Sequence, residues 1–137
     1  GQWDGKIIIK GVMCGDDAQA AVDTGADGVV VSNHGGRQLE GVASSISRLP
    51  EVAGAVGGQV EVYVDGGIRN GTDVVKAVCL GANGVLVGRP WVWAMASRGE
   101  RGLADLLGVI RTEIQVSMAL MGVRNIGELE PGLVDSA

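Results

Sequence analysis

The chain has 137 residues, 46% of them hydrophobic, with 24 glycines and no phenylalanine, so its apolar mass is largely Val, Ile, Leu and Ala. Val and Ile suit strands buried on both faces, as in parallel sheets. Eleven Lys and Arg against 16 Asp and Glu leave a formal net charge of −5, which excludes a broad nucleic-acid surface of clustered basic residues. No apolar run reaches the roughly 18 residues that a membrane-spanning helix needs.

In chain order, the first strand signal is Ile7-Ile8-Ile9, followed by Lys10 and Gly11. Asp16 or Asp17 is then placed to cap a helix over 16–24, stopped by Gly25. Val29-Val30-Val31 reads as a second strand and runs into Ser32-Asn33-His34-Gly35-Gly36-Arg37. Ser44 or Ser45 opens a second helix that ends near Val56 at Gly57-Gly58. Val62-Tyr63-Val64, the third strand, leads into Asp65-Gly66-Gly67-Ile68-Arg69-Asn70-Gly71. Thr72 is expected to cap a helix over 72–80, stopped by Gly81. Val85-Leu86-Val87, the fourth strand, precedes Gly88-Arg89-Pro90. Beyond it Leu103, Leu106, Leu107, Ile110, Ile114 and Met121 fall near one face of a longer helix, with Trp91 and Trp93 expected to pack beneath it.

Strands alternating with helices imply βα units and a parallel sheet. Gly25-Ala26-Asp27-Gly28-Val29 is echoed by Gly81-Ala82-Asn83-Gly84-Val85, and repetition of this kind suggests a (β/α) barrel. Only four units are present where such a barrel has eight, so the units form an open sheet or half a barrel. The Rossmann GxGxxG and the P-loop pattern are both absent. Cys14 and Cys79 lie far apart and outside any CxxC pattern, so free thiols in a reducing, cytoplasmic setting are expected. Asn70-Gly71-Thr72 matches a glycosylation sequon and is read as chance.

In parallel α/β folds the chemistry sits just past the C-terminal ends of the strands. Lys10 at the first strand end is a lysine snorkelling to water, a cation facing an anion or cofactor ring, or a Schiff-base lysine. His34 is the single histidine and sits in a Gly-rich turn, with Arg37 three residues on as a fork for a carboxylate. A base beside a carboxylate clamp suits proton abstraction next to a carboxylate. Gly66-Gly67 with Arg69, and Gly88 with Arg89, suit an anion. Barrel enzymes often bind phosphate after strands seven and eight, so these four strands read as the last four of eight. Asp65 would not face a phosphate and fits a ligand hydroxyl or a cap for its turn.

Taken with Lys10-Gly11, Asp65-Gly66-Gly67-Ile68-Arg69 and Gly88-Arg89-Pro90, the run from Ser32 to Leu39 resembles the FMN-dependent α-hydroxy acid dehydrogenase/oxidase family. That family includes glycolate oxidase, lactate oxidase and mandelate dehydrogenase. The resemblance runs from about Gly5 to about Gly127. It implies an α/β fold that is the C-terminal half, strands 5–8 and their helices, of a (β/α)8 TIM barrel, residues 1–137 forming that half of one FMN-binding domain. It implies oxidation of a small L-2-hydroxy acid such as lactate, glycolate or mandelate to the 2-oxo acid, with FMN as cofactor and no metal. Lys10 would approach the flavin N1–O2 edge and stabilise negative charge there, and Ser32 would sit in the FMN neighbourhood. His34 would take the proton and contact the substrate, whose carboxylate Arg37 would hold. Asp65, Gly66, Gly67, Ile68 and Arg69, with Gly88 and Arg89, would bind the ribityl and phosphate part of FMN.

Family members draw further flavin contacts, substrate-binding tyrosines, a second arginine and an aspartate that orients the histidine from the first half of the barrel. The expected partners are therefore the substrate, the N-terminal half that this chain lacks, and copies of the completed barrel in a homo-oligomer, a tetramer by resemblance. The non-Met start fits a fragment of a longer enzyme, inactive alone. Two alternatives stand beside this reading. One is another FMN- or phosphate-binding barrel, against which the Ser-Asn-His-Gly-Gly-Arg run argues. The other is an inactive half-barrel that at most binds FMN.

Overall fold

The computed structural model describes residues 3–135. Four strands, β1 (Ile8–Val12), β2 (Gly28–Val31), β3 (Glu61–Val64) and β4 (Gly84–Val85), alternate with four helices, α1 (Gly15–Asp23), α2 (Ser45–Val56), α3 (Gly71–Cys79) and α4 (Arg89–Leu120). The strands form one parallel sheet in the order β1-β2-β3-β4. Strand order that follows chain order, with no reversal, means that every crossover winds the same way and all helices fall on one face. That is the winding of a barrel rather than of a doubly wound sheet, and four units of it are a partial barrel.

The two faces differ in chemistry. Val29, Val31, Val62 and Val64 point toward the helices and pack with Ala18, Ala21, Leu49, Val52 and Val56 into the main core. Fully buried side chains such as Leu49, Val52 and Val56 each contribute about 1.5–3 kcal/mol of burial free energy. The opposite face carries Ile8, Gly28 and Tyr63, which neighbour one another. It has no helix against it and corresponds to the inside of a barrel.

The repeated Gly-Ala-Asp/Asn-Gly segments do one job twice. Asp27 donates its backbone N–H to the Ile7 carbonyl at 2.8 Å and its carboxylate accepts the Ile7 N–H at 2.8 Å. Asn83 does the same to Val62, at 2.7 and 2.8 Å. Each unit thus latches the start of its strand to the strand before it.

Several boundaries differ from the sequence expectations. The strand expected at 7–9 runs through Lys10 to Val12, because a bulge between Lys10 and Val12 absorbs Gly11. The strand expected at 85–87 is Gly84–Val85, with Leu86 adding one N–H bond to Val64. Neither Asp16 nor Asp17 caps α1. The N-cap is Cys14, which makes no side-chain cap bond, and Glu51 of α2 accepts the Gly15 N–H instead at 3.0 Å. Asp16 and Asp17 sit in the first turn, where their charge suits the helix dipole. Thr72 does not cap α3. Asn70 does, in a reciprocal box with Asp73, so the sequon asparagine is engaged in structure. Of the two serines expected to open α2, Ser44 caps it, and Gly57 ends it as expected.

Helices α3 and α4 meet closely. The Gly71 N–H donates to Glu113 at 2.7 Å, and a Cβ on Gly71 would lie 2.5 Å from the Ile110 carbonyl and the Ile114 nitrogen. Val75, Cys79, Met118 and Val123 form a second small core beside this crossing. Helix α4 is broken at Arg98 and Gly99, which leave helical geometry. Trp91 and Trp93 precede the break and do not pack beneath a helix: they are 45% and 64% exposed. The segment that carries them follows β4 at the edge of the sheet and is exposed among the described residues.

Candidate functional site

The four strand ends converge on one cavity of about 680 Å³. Lys10, His34, Arg37, Asp65, Gly66, Gly67, Ile68, Arg69, Gly88 and Arg89 all line it, joined by Leu86, Pro90 and Trp93. Of the expected site residues only Ser32 stays out of its wall. Ser32 is 1% exposed, lies behind Lys10 and lines a smaller cavity.

The bulge at Gly11 decides where Lys10 points. Its ammonium reaches across two strands, 2.8 Å from the Ser32 hydroxyl and 2.7 Å from the Asp65 carboxylate. Two of its three N–H donors are thereby used and one is left for the cavity. Lys10 is therefore a fixed cation rather than a lysine reaching freely into water.

Asp65 thus holds Lys10, a pairing the sequence reading did not contain. Its other oxygen, Oδ1, is buried and has no hydrogen-bond partner. A buried carboxylate oxygen without a donor is costly, and a ligand hydroxyl would satisfy it. Gly66 and Gly67 follow, both at φ 86, in the left-handed region that glycine enters without strain. Ile68, 5% exposed, anchors the turn in the main core. Arg69 extends from it, exposed.

His34 lies in the short helical turn His34–Gly36. Its φ of 57 makes it the one non-glycine residue at positive φ among the described residues, a conformation that costs about 1–2 kcal/mol. Its backbone N–H donates to Ser32 Oγ at 3.1 Å, so one hydroxyl receives both Lys10 and His34. Its imidazole lies over Gly11, where a Cβ would come 2.8 Å from His34 Cε1. Gly11 therefore serves twice, as the bulge and as the gap that the ring occupies. Arg37 closes the turn and is exposed to the cavity.

At the fourth strand end, Gly88 precedes α4 without a side-chain cap and Pro90 sits in its first turn. The start of α4, with Arg89 beside it, borders the cavity, where a helix N-terminus and a guanidinium favour an anion. These features fit FMN. Two arginines and free amides suit its phosphate, the orphaned Asp65 oxygen suits a ribityl hydroxyl, and the Lys10 charge suits the electron-rich edge of its ring.

Comparison with known proteins decides the family. The model of the FMN-dependent dehydrogenases matches residues 1–136. The chain belongs to the FMN-dependent dehydrogenase family. It is 55% identical over 127 residues to an L-lactate dehydrogenase of Caulobacter vibrioides (strain NA1000 / CB15N), covering 93% of this chain and 33% of that protein. It is 51% identical over 128 residues to 2-hydroxyacid oxidase 1 of Homo sapiens, covering 93% of this chain and 35% of that protein. Among solved structures, a mandelate oxidase with benzoyl-formic acid superposes with a TM-score of 0.88 at 50% identity, covering 91% of this chain and 37% of that chain. A mandelate oxidase variant with a monooxide FMN adduct gives the same TM-score and covers 40% of that chain. The chain thus spans about a third of the length of the curated relatives it matches.

Trp93, read from sequence as a packing residue, lines the cavity, while Gly11 and Asn33, read only as members of their motifs, line the smaller cavity beside it. An asparagine directly before a histidine and two glycines signals a side-chain-closed turn, so Asn33 was open to detection. The Lys10–Asp65 pair was not, since it depends on a sheet register that no local pattern states.

Proposed function

We propose that this chain supplies the proton acceptor, the carboxylate clamp and the ribityl-phosphate cradle of an FMN-dependent enzyme that oxidises a small L-2-hydroxy acid to the 2-oxo acid. The observation that carries this reading is the single cavity lined by His34, Arg37, Lys10 and both arginine-bearing glycine turns. FMN, when bound, supplies the two-electron acceptor. Arg37 holds the substrate carboxylate through its planar fork. His34 takes the substrate proton at a ring nitrogen. Lys10, fixed by Ser32 and Asp65, places positive charge where negative charge develops. Asp65 Oδ1 accepts a ribityl hydroxyl. Arg69, Arg89, the amides of Gly66 and Gly67 and the start of α4 hold the phosphate.

In this reading residues 1–137 form one half of a barrel domain, completed by βα units outside this chain. Support comes from the two uncovered edges. Ile7, Ile8 and Ile9 are 48%, 49% and 37% exposed along the free edge of β1. Leu86, Trp91, Val92, Trp93 and Met95 are exposed beside β4. Apolar strand edges of this kind call for cover. The completed barrels associate as a homo-oligomer, for which Val109, Val116 and Leu120 on α4 leave apolar surface free. The free thiols Cys14 and Cys79 suit a reducing cytoplasm.

The test is His34→Gln in the FMN-loaded enzyme. Flavin reduction by lactate, glycolate or mandelate is expected to slow by at least about 100-fold, the lower range for loss of a general base, while FMN stays bound. Reduction near the unsubstituted rate would remove His34 from the reaction.

A further inference from the structure

We infer that Asn33 is a positioning residue for this chemistry: its side chain sets the backbone turn that presents His34. The inference rests on the reading of His34 as proton acceptor. Asn33 Oδ1 accepts the N–H of Gly35 at 3.0 Å and of Gly36 at 3.2 Å, closing the turn that begins at His34. Asn33 Nδ2 donates to the Ala43 carbonyl at 3.3 Å, tying the turn to the segment that enters α2. The Asn33 backbone N–H donates to the hydroxyl of Ser45, which is 2% exposed. Both ends of this residue are thus held by groups outside the turn.

The consequence is that His34 does not choose its own conformation. A non-glycine residue persists in the left-handed region only where its surroundings over-determine it. Here Asn33 closes the turn on the C-terminal side of His34, and Ser32 Oγ holds its N–H on the other. Arg37 closes the same turn, so loosening Asn33 displaces base and clamp together. Ser45 links this turn to the cofactor-binding one, since a Cβ on Gly66 would lie 3.1 Å from Ser45 Oγ and 3.6 Å from Asn33 Oδ1. Asn33 itself does not line the main cavity. Its effect passes through His34.

The test is substrate-driven flavin reduction in the FMN-loaded enzyme, with FMN affinity measured in parallel. Asn33→Ala should slow reduction on the order of tenfold or more while FMN affinity stays unchanged. Asn33→Ser, which keeps a short side-chain oxygen suited to the same amides, should restore most of the rate. If Asn33→Ala does not fold, Ser45→Ala, which removes the acceptor of the Asn33 N–H, should slow reduction about threefold. An unchanged rate overturns the inference. So does a loss of FMN affinity in step with the rate, or a serine variant no better than alanine. His34→Gln serves as the control. If it reduces flavin normally, the reading of His34 fails and takes this inference with it. If it is slow while Asn33→Ala is normal, only the role of Asn33 falls.

Discussion

In the carboxylate clamp proposed for Arg37, the geometry of the charged group is expected to matter more than the charge. A guanidinium presents parallel N–H donors to a carboxylate, and an ammonium presents one point charge. Arg37→Lys should therefore weaken binding of a 2-hydroxy acid by about tenfold, the order expected for loss of one charge-assisted hydrogen bond. Titration of the oxidised enzyme with a carboxylate inhibitor checks this, and unchanged affinity removes Arg37 from the carboxylate site. At this scale much of the cavity was legible. His34, Arg37 and the two arginine-bearing glycine turns each follow a strand, and parallel sheets gather such ends on one side. What stayed hidden depends on register. Lys10 looked like the residue after a strand and is instead inside one, re-aimed by the Gly11 bulge onto Ser32 and Asp65. Nothing local in Ile7-Ile8-Ile9-Lys10 states that.

Among the elements, side chains from neighbouring units secure the ends of helices and strands. Glu51 accepts the first amide of α1 at 3.0 Å, and this bond, with Arg48, holds its carboxyl below the usual range. Lys6 and the Ile7 N–H hold the Asp27 carboxyl down in the same way. A carboxyl with a lowered folded pKa contributes stability above its ordinary pKa and loses it as pH falls through the folded value. The ordinary values are 3.8 for Asp27 and 4.5 for Glu51, so both contributions are full near neutrality and fade in acid below them. Thermal unfolding followed across acid pH should show a midpoint that falls less steeply in Glu51→Gln than in the unsubstituted protein. Equal slopes would show that the Glu51 bond adds nothing. These devices also explain which caps the sequence misplaced. Cys14 starts α1 with no side-chain cap bond because α2 supplies the acceptor across the interface, a partner invisible to any local rule. At α3 the signal was present in Asn70 and Asp73, three residues apart, and Thr72 was the weaker reading of it. The ends of α2 were legible, to one of two serines at Ser44 and to Gly57, because both act within their own helix.

For the whole molecule, the echo of residues 25–29 in residues 81–85 was the strongest sign of architecture, and it corresponds to a repeated latch between successive strands. The latch joins β2 to the strand before it and β4 to the strand before it, within a sheet that runs in chain order without reversal. A sheet wound this way has an inner face, and among the described residues no helix covers that face or either edge. Ile7, Ile8 and Ile9, read as a strand, and Trp91 and Trp93, read as packed beneath a helix, are exposed among the described residues. Composition reports that such residues want burial and not whether their cover lies in the same stretch of chain. The site shares this condition, since its cavity is walled by four strand ends where a complete barrel has eight.

The most direct test of the account is anaerobic flavin reduction by lactate, glycolate and mandelate, measured for this 137-residue chain mixed with FMN and for the same residues within a complete eight-unit barrel. The account predicts bleaching of the flavin by at least one of these acids in the complete barrel and none in the isolated chain. Bleaching at a comparable rate in the isolated chain, or none with any of the three in the complete barrel, would contradict it.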